Sequence, residues 1–294
     1  MTQKFGLSAA LTTPFKTDGS IDIDAMIAHA RRCLSSGCNS VTLFGTTGEG
    51  SSIGSVERQT ILSRFIEAGI APSSLVTGVL VDSIEDAALQ SAEALKAGAR
   101  NILLAPPSYF KNVSDDGLFA WFSAVFEKIG KGARDILVYN IPSVTMVTLS
   151  VDLVGRLKTA FPGIVTGVKD SSGNWPHTER LLKEHGDLAI LIGDERDLAK
   201  GVRLGGHGAI SGVANFLPQE VRAMAVDGKD DKRIEDLVVE LLKFPVTPAV
   251  KVLLSHTTGE NVWLEVRAPL VAVSPEDRGQ IGAAFDTLFR KQAA

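Results

Sequence analysis

Short apolar runs rich in β-branched residues recur along the chain at 7–12, 40–44, 75–79, 101–104, 136–139, 164–168, 188–192 and 208–211. Each is nearly continuous in apolar character rather than alternating, the pattern of a strand buried on both faces. Between them lie stretches with amphipathic-helix spacing, at 21–34, 55–68, 83–97, 116–129 and 149–160. Ile61, Phe65 and Ile66 gather on one side of the second stretch. Ser83 followed by Asp86 comes close to a capping box at the start of the third. Strands alternating with helices predict a parallel sheet, and eight such units predict a closed (β/α)8 TIM barrel of the α/β class. An open doubly wound sheet would more often show GxGxxG after its first strand, and Leu11-Thr12-Thr13-Pro14 offers nothing of that sort. Beyond the eighth run, 218–226, 230–243, 248–255 and 275–291 read as helices with no strand between them. The first completes a catalytic barrel over 1–226, and the others form a helical extension over 227–294.

At 294 residues the chain is long enough for one large barrel, and 45% hydrophobic content excludes a disordered or collagenous protein. Net charge is −4, and no basic run exceeds Arg31-Arg32, which argues against a nucleic-acid partner. No apolar stretch approaches the roughly 18 residues of a membrane helix. The first 15 residues do not read as a signal peptide, so a cytoplasmic protein is expected. Cys33 and Cys38 fit neither a CxxC pair nor a zinc knuckle, and the five histidines show no HxH or HxxxH. The expected chemistry therefore needs no metal.

In such a barrel, chemistry sits at the C-terminal ends of the strands. The second strand runs into Gly45-Thr46-Thr47-Gly48-Glu49-Gly50, whose backbone N–H groups and two hydroxyls could hold a carboxylate. A tight turn with a capping hydroxyl explains the same residues. It is not a P-loop, because no Gly-Lys-Ser/Thr follows. The only two tyrosines fall at or just beyond strand ends, Tyr109 in Ala105-Pro106-Pro107-Ser108-Tyr109-Phe110 and Tyr139 in Tyr139-Asn140-Ile141-Pro142-Ser143. A phenol there can relay a proton or simply close the core. Lys169 closes the sixth strand in Gly167-Val168-Lys169-Asp170. Desolvation there favours a neutral amine able to form a Schiff base with a ketone, while pairing with Asp170 is the plain alternative. Asp194 and Glu195 at the seventh strand's end suit hydroxyl groups or cap the next helix. The run Gly205-Gly206-His207-Gly208 lets backbone approach a ligand closely, which leaves a phosphosugar enzyme open.

Together, Gly45-Thr46-Thr47-Gly48-Glu49, Tyr139-Asn140-Ile141-Pro142, Gly167-Val168-Lys169 and Gly205-Gly206-His207-Gly208-Ala209-Ile210-Ser211 resemble the dihydrodipicolinate synthase / N-acetylneuraminate lyase family of pyruvate-dependent class I aldolases. The likeness runs from about Leu7 to the end and includes Ala268-Pro269-Leu270. It implies that Lys169 forms the Schiff base with pyruvate or a pyruvoyl substrate and that Tyr139 is the general acid/base. Thr46 would link Tyr139 to Tyr109, supplied by a neighbouring subunit. Thr47, beside Gly48, would grip the carboxylate, and the Ile210 carbonyl would line the site. The resemblance further implies a homotetramer of tight dimers that uses neither metal nor nucleotide.

One position departs from the synthases of this family. The arginine that grips the carboxylate of aspartate semialdehyde is replaced by Val144, and no arginine or lysine lies between Tyr139 and Arg156. Ser55 and Arg58 stand where the histidines of the family's lysine-binding site would be. An apolar side chain cannot replace a bidentate clamp. The synthase resemblance therefore has an alternative, cleavage of a 2-keto-3-deoxy sugar acid or other 4-hydroxy-2-oxo acid, with Ser171, Ser172, Asp194 and Glu195 available for hydroxyl groups. A hydratase-aldolase for an aromatic substrate suits Val144 and Met146 equally. From another class, a catalytically silent keto-acid-binding barrel or a phosphate-binding isomerase would have no use for Lys169.

Overall fold

The computed structural model describes residues 4–290; residues 1–3 and 291–294, including the last residue of the expected 275–291 helix, lie outside the described residues. Eight parallel strands close into a barrel: β1 (Gly6–Ala10), β2 (Ser40–Leu43), β3 (Leu75–Val79), β4 (Asn101–Leu104), β5 (Ile136–Asn140), β6 (Val165–Asp170), β7 (Ala189–Ile192) and β8 (Gly208–Ser211), with β8 pairing β1. Each falls on one of the eight apolar runs. The helices around them are α1 (Ile23–Ser35), α2 (Ser55–Glu67), α3 (Ile84–Lys96), α4 (Asp115–Ile129), the single turn α5 (Pro142–Thr145), α6 (Val151–Ala160), α7 (Trp175–Glu184), α8 (Glu195–Arg203) and α9 (Pro218–Asp227). Three more follow, α10 (Lys232–Leu241), α11 (Val246–Thr258) and α12 (Pro275–Phe289). No helix of the described residues is long and apolar enough to cross a membrane.

Local chemistry explains the helix ends. Ser83 accepts from the Asp86 N–H at 3.3 Å, so α3 is capped as its sequence suggests. Helix α11 starts two residues before the expected 248 and ends three after 255. Pro248 sits in its first turn, where a missing N–H costs nothing. The hydrophobic core has two parts. Outward-facing strand residues pack under the helices, and a smaller inner set including Val76, Leu103, Leu137, Leu191 and Ile210 fills the barrel. Tyr139 belongs to the inner set, at its upper end.

The glycine run 205–208 enters β8 rather than leaving it, so it lies at the opposite end of the barrel from the strand C-termini. Gly208 has φ +126°, and a β-carbon there would stand 1.9 Å from the Gly6 carbonyl oxygen. The glycine permits backbone-to-backbone closure of the barrel, and the ligand-approach reading of this run is thereby corrected. Gly208→Ala is expected to lower unfolding stability by on the order of 3 kcal/mol in urea titration. A loss under about 1 kcal/mol would show that β1 and β8 can separate at no great cost.

Candidate functional site

Strands β5 and β6 pair Tyr139 with Lys169 and Asn140 with Asp170. Alternation then sends the first pair into the barrel and the second toward the helices. A bulge sets this phase: Ile136 pairs with Val165, but the next residue, Leu137, pairs with Gly167, so Thr166 is skipped. Without that extra residue, Lys169 would face outward. Inside, buried Lys169 donates from Nζ to the Tyr139 hydroxyl at 3.2 Å, and Nζ lies 4.4 Å from the Tyr139 ring centroid. The Tyr139 hydroxyl is 3.4 Å from Thr46 Oγ1. Three residues singled out in the sequence therefore converge.

Asp170 does not pair with Lys169. Its carboxylate accepts from Asn140 Nδ2 at 2.8 Å, Thr178 Oγ1 at 2.6 Å and the Ser172 N–H at 3.2 Å, with His177 Nδ1 at 3.3 Å. Burial pushes the carboxyl up, and the donors, His177 foremost, outweigh it and hold it below the usual aspartate value. The other His177 nitrogen, Nε2, is 3.0 Å from the Leu149 carbonyl. The Asp170 hydrogen bond raises His177 above its ordinary value. Two acceptors on one ring favour the imidazolium. No spacing rule in the sequence pointed to His177, which lies seven residues from its partner, across a loop.

The 45–50 loop doubles back on itself. Glu49 N–H donates to the Thr46 carbonyl and Gly50 N–H to the Gly45 carbonyl, at 3.1 and 3.0 Å. A β-carbon at Gly50 would overlap the Phe44 carbonyl, at 1.8 Å. Thr46 and Thr47 are half-buried, and the N–H groups of Thr46, Thr47 and Gly48 donate to no acceptor among the described residues. The Gly48 carbonyl is taken by Thr13 Oγ1 at 2.7 Å. Thr47 faces the end of β8: a β-carbon at Gly212 would lie 3.4 Å from its Oγ1. Ile210, on that strand, is buried in the inner core.

The remaining candidates divide. Ser171 N–H donates to the Asn140 carbonyl at 2.8 Å, which places this serine just beyond the ends of β5 and β6. Asp194 caps α8 through the Arg196 N–H at 3.0 Å and pairs with the Arg196 guanidinium at 2.6 Å. Its neighbour Glu195 turns inward and accepts from Ser211 Oγ at 2.6 Å. Burial pushes the Glu195 carboxyl up, while the Ser211 bond and the charge of Lys169 pull it down. Tyr109 is 78% exposed and stacks edge-on against Phe110. Val144 and Met146 are also exposed. Lys111 donates to the Thr145 carbonyl at 3.2 Å, so the loops bearing Tyr109 and Val144 form one apolar lip.

The sequence profile of the Dihydrodipicolinate synthetase family matches residues 3–288. The chain belongs to that family. A 4-hydroxy-tetrahydrodipicolinate synthase of Sorangium cellulosum is 34% identical over 98% of this chain and 97% of its own. A crystal structure of dihydrodipicolinate synthase from Agrobacterium tumefaciens strain C58 is 88% identical, with a TM-score of 0.97 over 98% of this chain and 100% of that one. A 4-hydroxy-tetrahydrodipicolinate synthase of Agrobacterium fabrum, also strain C58, is 31% identical over 95% of this chain and 97% of its own. Members of the dihydrodipicolinate synthetase family are lyases of the aldolase kind, and so is this chain.

His177 supplies a test of the support under Lys169. A histidine raised in the fold contributes stability that is complete below the ordinary value of 6.5 and is lost as pH rises through the raised value. The stability advantage of the wild type over His177→Gln is therefore expected to be largest below pH 6.5 and to shrink above it. Urea titrations at about pH 5.5, 7 and 8.5 read this, and an advantage independent of pH would mean that His177 is neutral in the fold.

Proposed function

We propose that this chain forms an imine between Lys169 and the keto carbon of pyruvate or a larger 2-oxo acid, and makes or breaks a carbon–carbon bond at the adjacent carbon. The observation that carries this reading is the buried contact of Lys169 Nζ with the Tyr139 hydroxyl at the strand ends. The free amine attacks the keto carbon. Tyr139 hands a proton to the departing oxygen, which leaves as water, and the imine then draws off the electrons of the neighbouring C–H or C–C bond. The enamine so formed adds to an aldehyde; the reverse sequence cleaves. Thr46 connects Tyr139 to a second phenol, for which Tyr109 of another copy of the chain is the proposed source. Self-association as a dimer or tetramer would cover the lip of Tyr109, Phe110, Val144 and Met146. The free N–H groups at Thr46, Thr47 and Gly48 suit the carboxylate, with the Ile210 carbonyl at its edge. The covalent imine takes the place of a metal or nucleotide cofactor. A silent keto-acid-binding barrel would have no need of the Lys169–Tyr139 pair.

For the second substrate, the proposed reading is an aldehyde whose adduct is a 4-hydroxy-2-oxo acid, such as a 2-keto-3-deoxy sugar acid. Val144 presents no cation to a second carboxylate, and Lys111, brought to the same loop, spends donors on the Ser108 and Thr145 carbonyls. Glu195 with Ser211, near enough to Lys169 to feel its charge, suits a substrate hydroxyl, with Ser171 and Asp194 beyond. Two strain C58 proteins of this family, at 88% and 31% identity to this chain, fit enzymes that have diverged in this second substrate. Condensation with aspartate semialdehyde is the second reading, favoured by the description of the 88% identical relative.

Borohydride reduction with pyruvate is expected to leave an adduct on the Lys169 peptide, read by mass spectrometry, and none in Lys169→Ala. An adduct elsewhere, or none with pyruvate, would overturn the reading. With aspartate semialdehyde and hydroxylated aldehydes in one panel, the wild type is expected to favour the latter. Val144→Arg should raise kcat/KM for aspartate semialdehyde by on the order of ten-fold or more. Efficient use of the semialdehyde by the wild type would establish the second reading instead.

A further inference from the structure

Glu49 in the 45–50 loop and Phe44 just before it hold backbone conformations that side chains adopt reluctantly, at φ 54° and φ 60°. Something must hold the turn at Glu49, and the holder comes from the far end of the chain. Lys251 of α11, 202 residues away, donates to Glu49 Oε1 at 2.7 Å, with both side chains buried to within 1%. The N–H of Arg267 donates to Glu49 Oε2 at 2.9 Å, so both carboxylate oxygens are engaged. Lys251 is held from other sides too: it donates to the Glu265 carbonyl and lies 4.7 Å from the centroid of the Phe15 ring. Arg267 covers the same ring and pairs with Glu57 of α2 at 2.8 Å.

The same helix touches the loop at one further point and lines the turn after β8 that Thr47 faces. Thr247 Oγ1 donates to the Thr46 carbonyl at 3.3 Å. Val250 and Thr47 both approach Gly212: a β-carbon there would be 3.7 Å from Val250 Cγ2 and 3.4 Å from Thr47 Oγ1. Stability alone gives no reason for an ion pair here, since apolar groups of the same volume often serve a core as well or better. An ion pair does what an apolar contact does not: it fixes where the carboxylate points, and through it the turn at Glu49.

We propose that Lys251 and Glu49 are positioning residues for the carboxylate of the 2-oxo acid, their buried pair holding the 45–50 loop so that the N–H groups of Thr46, Thr47 and Gly48 converge on it. The inference rests on the imine chemistry above and adds that the C-terminal helices complete the carboxylate pocket. Neither residue touches the substrate; each acts through the turn.

The experiment compares borohydride trapping on Lys169 with pyruvate and with acetaldehyde, which has a carbonyl but no carboxylate. The variants are Lys251→Met combined with Glu49→Gln, which leaves no buried charge unpaired, and separately Thr247→Val, which removes one hydroxyl and should fold in any case. In the double variant, the pyruvate concentration for half-maximal trapping is expected to rise by about ten-fold or more, and in Thr247→Val by about three-fold. Acetaldehyde trapping should stay at the wild-type level in both. Equal loss with the two carbonyls would make the pair merely structural and overturn the inference. Unchanged pyruvate dependence in the folded double variant, or in Thr247→Val if the double does not fold, overturns it as well. A wild type that traps neither carbonyl on Lys169 would overturn the imine chemistry itself, and this inference with it.

Discussion

The site depends on one register, the pairing of Tyr139 with Lys169 across β5 and β6. Side chains alternate along a strand, so a slip of one residue would turn Lys169 out of the barrel and put Asp170 in. Two devices oppose that slip. The bulge at Thr166 sets the phase of β6 just upstream of the lysine. Behind the inward pair, Asn140 Nδ2 bonds to the Asp170 carboxylate, and His177 and Thr178 of α7 close the rest of that carboxylate. The polar groups that make this lock are buried on the helix side of the sheet, away from the barrel interior. They can be tight there without competing for the Lys169 amine.

The loop that faces the lysine is held differently. Its glycines let it fold back on itself, but they also leave it with little side-chain anchorage of its own. The anchors come from outside. Arg58 of α2 lies over the Phe44 ring at 4.2 Å and donates to the Gly78 and Gly50 carbonyls, while burial lowers it from its usual value to about 10. On the other side stands the Glu49–Lys251 pair. A loop whose Thr46, Thr47 and Gly48 N–H groups find no acceptor among the described residues does not satisfy its own backbone as a helix would. The surrounding elements therefore carry its stability.

Much of the fold was legible because a parallel strand buried on both faces has a sequence signature that needs no partner to read. All eight apolar runs became strands, with ends displaced by only a residue or two. Lys169, Tyr139 and Thr46 were legible for a related reason: in a barrel, the residue type at a strand's end is itself informative. Three features were not. The run at 205–208 looks like a ligand loop, but whether glycines enter or leave a strand decides which end of the barrel they occupy. The bulge at Thr166 leaves no trace in hydrophobic pattern. The partner of Glu49 is 202 residues distant, a separation at which only the fold brings a lysine and a glutamate together.

The two halves of the site also differ in how they are built, and this explains why the family is evident while the second substrate is open to argument. The half proposed to face the 2-oxo acid consists of Lys169, Tyr139 and a loop clamped by buried charges, each set by strand register or by close backbone contact. A change there would disturb the barrel. The half proposed to face the aldehyde includes Val144 and Met146, both exposed and packed against little else within the chain. Substitutions at such positions cost the fold almost nothing. An arginine and a valine are therefore equally compatible with the same barrel at position 144, and overall identity to a synthase weighs little on which aldehyde is used. In the proposed reading, what discriminates is the apolar side chain of Val144 together with the Glu195–Ser211 pair.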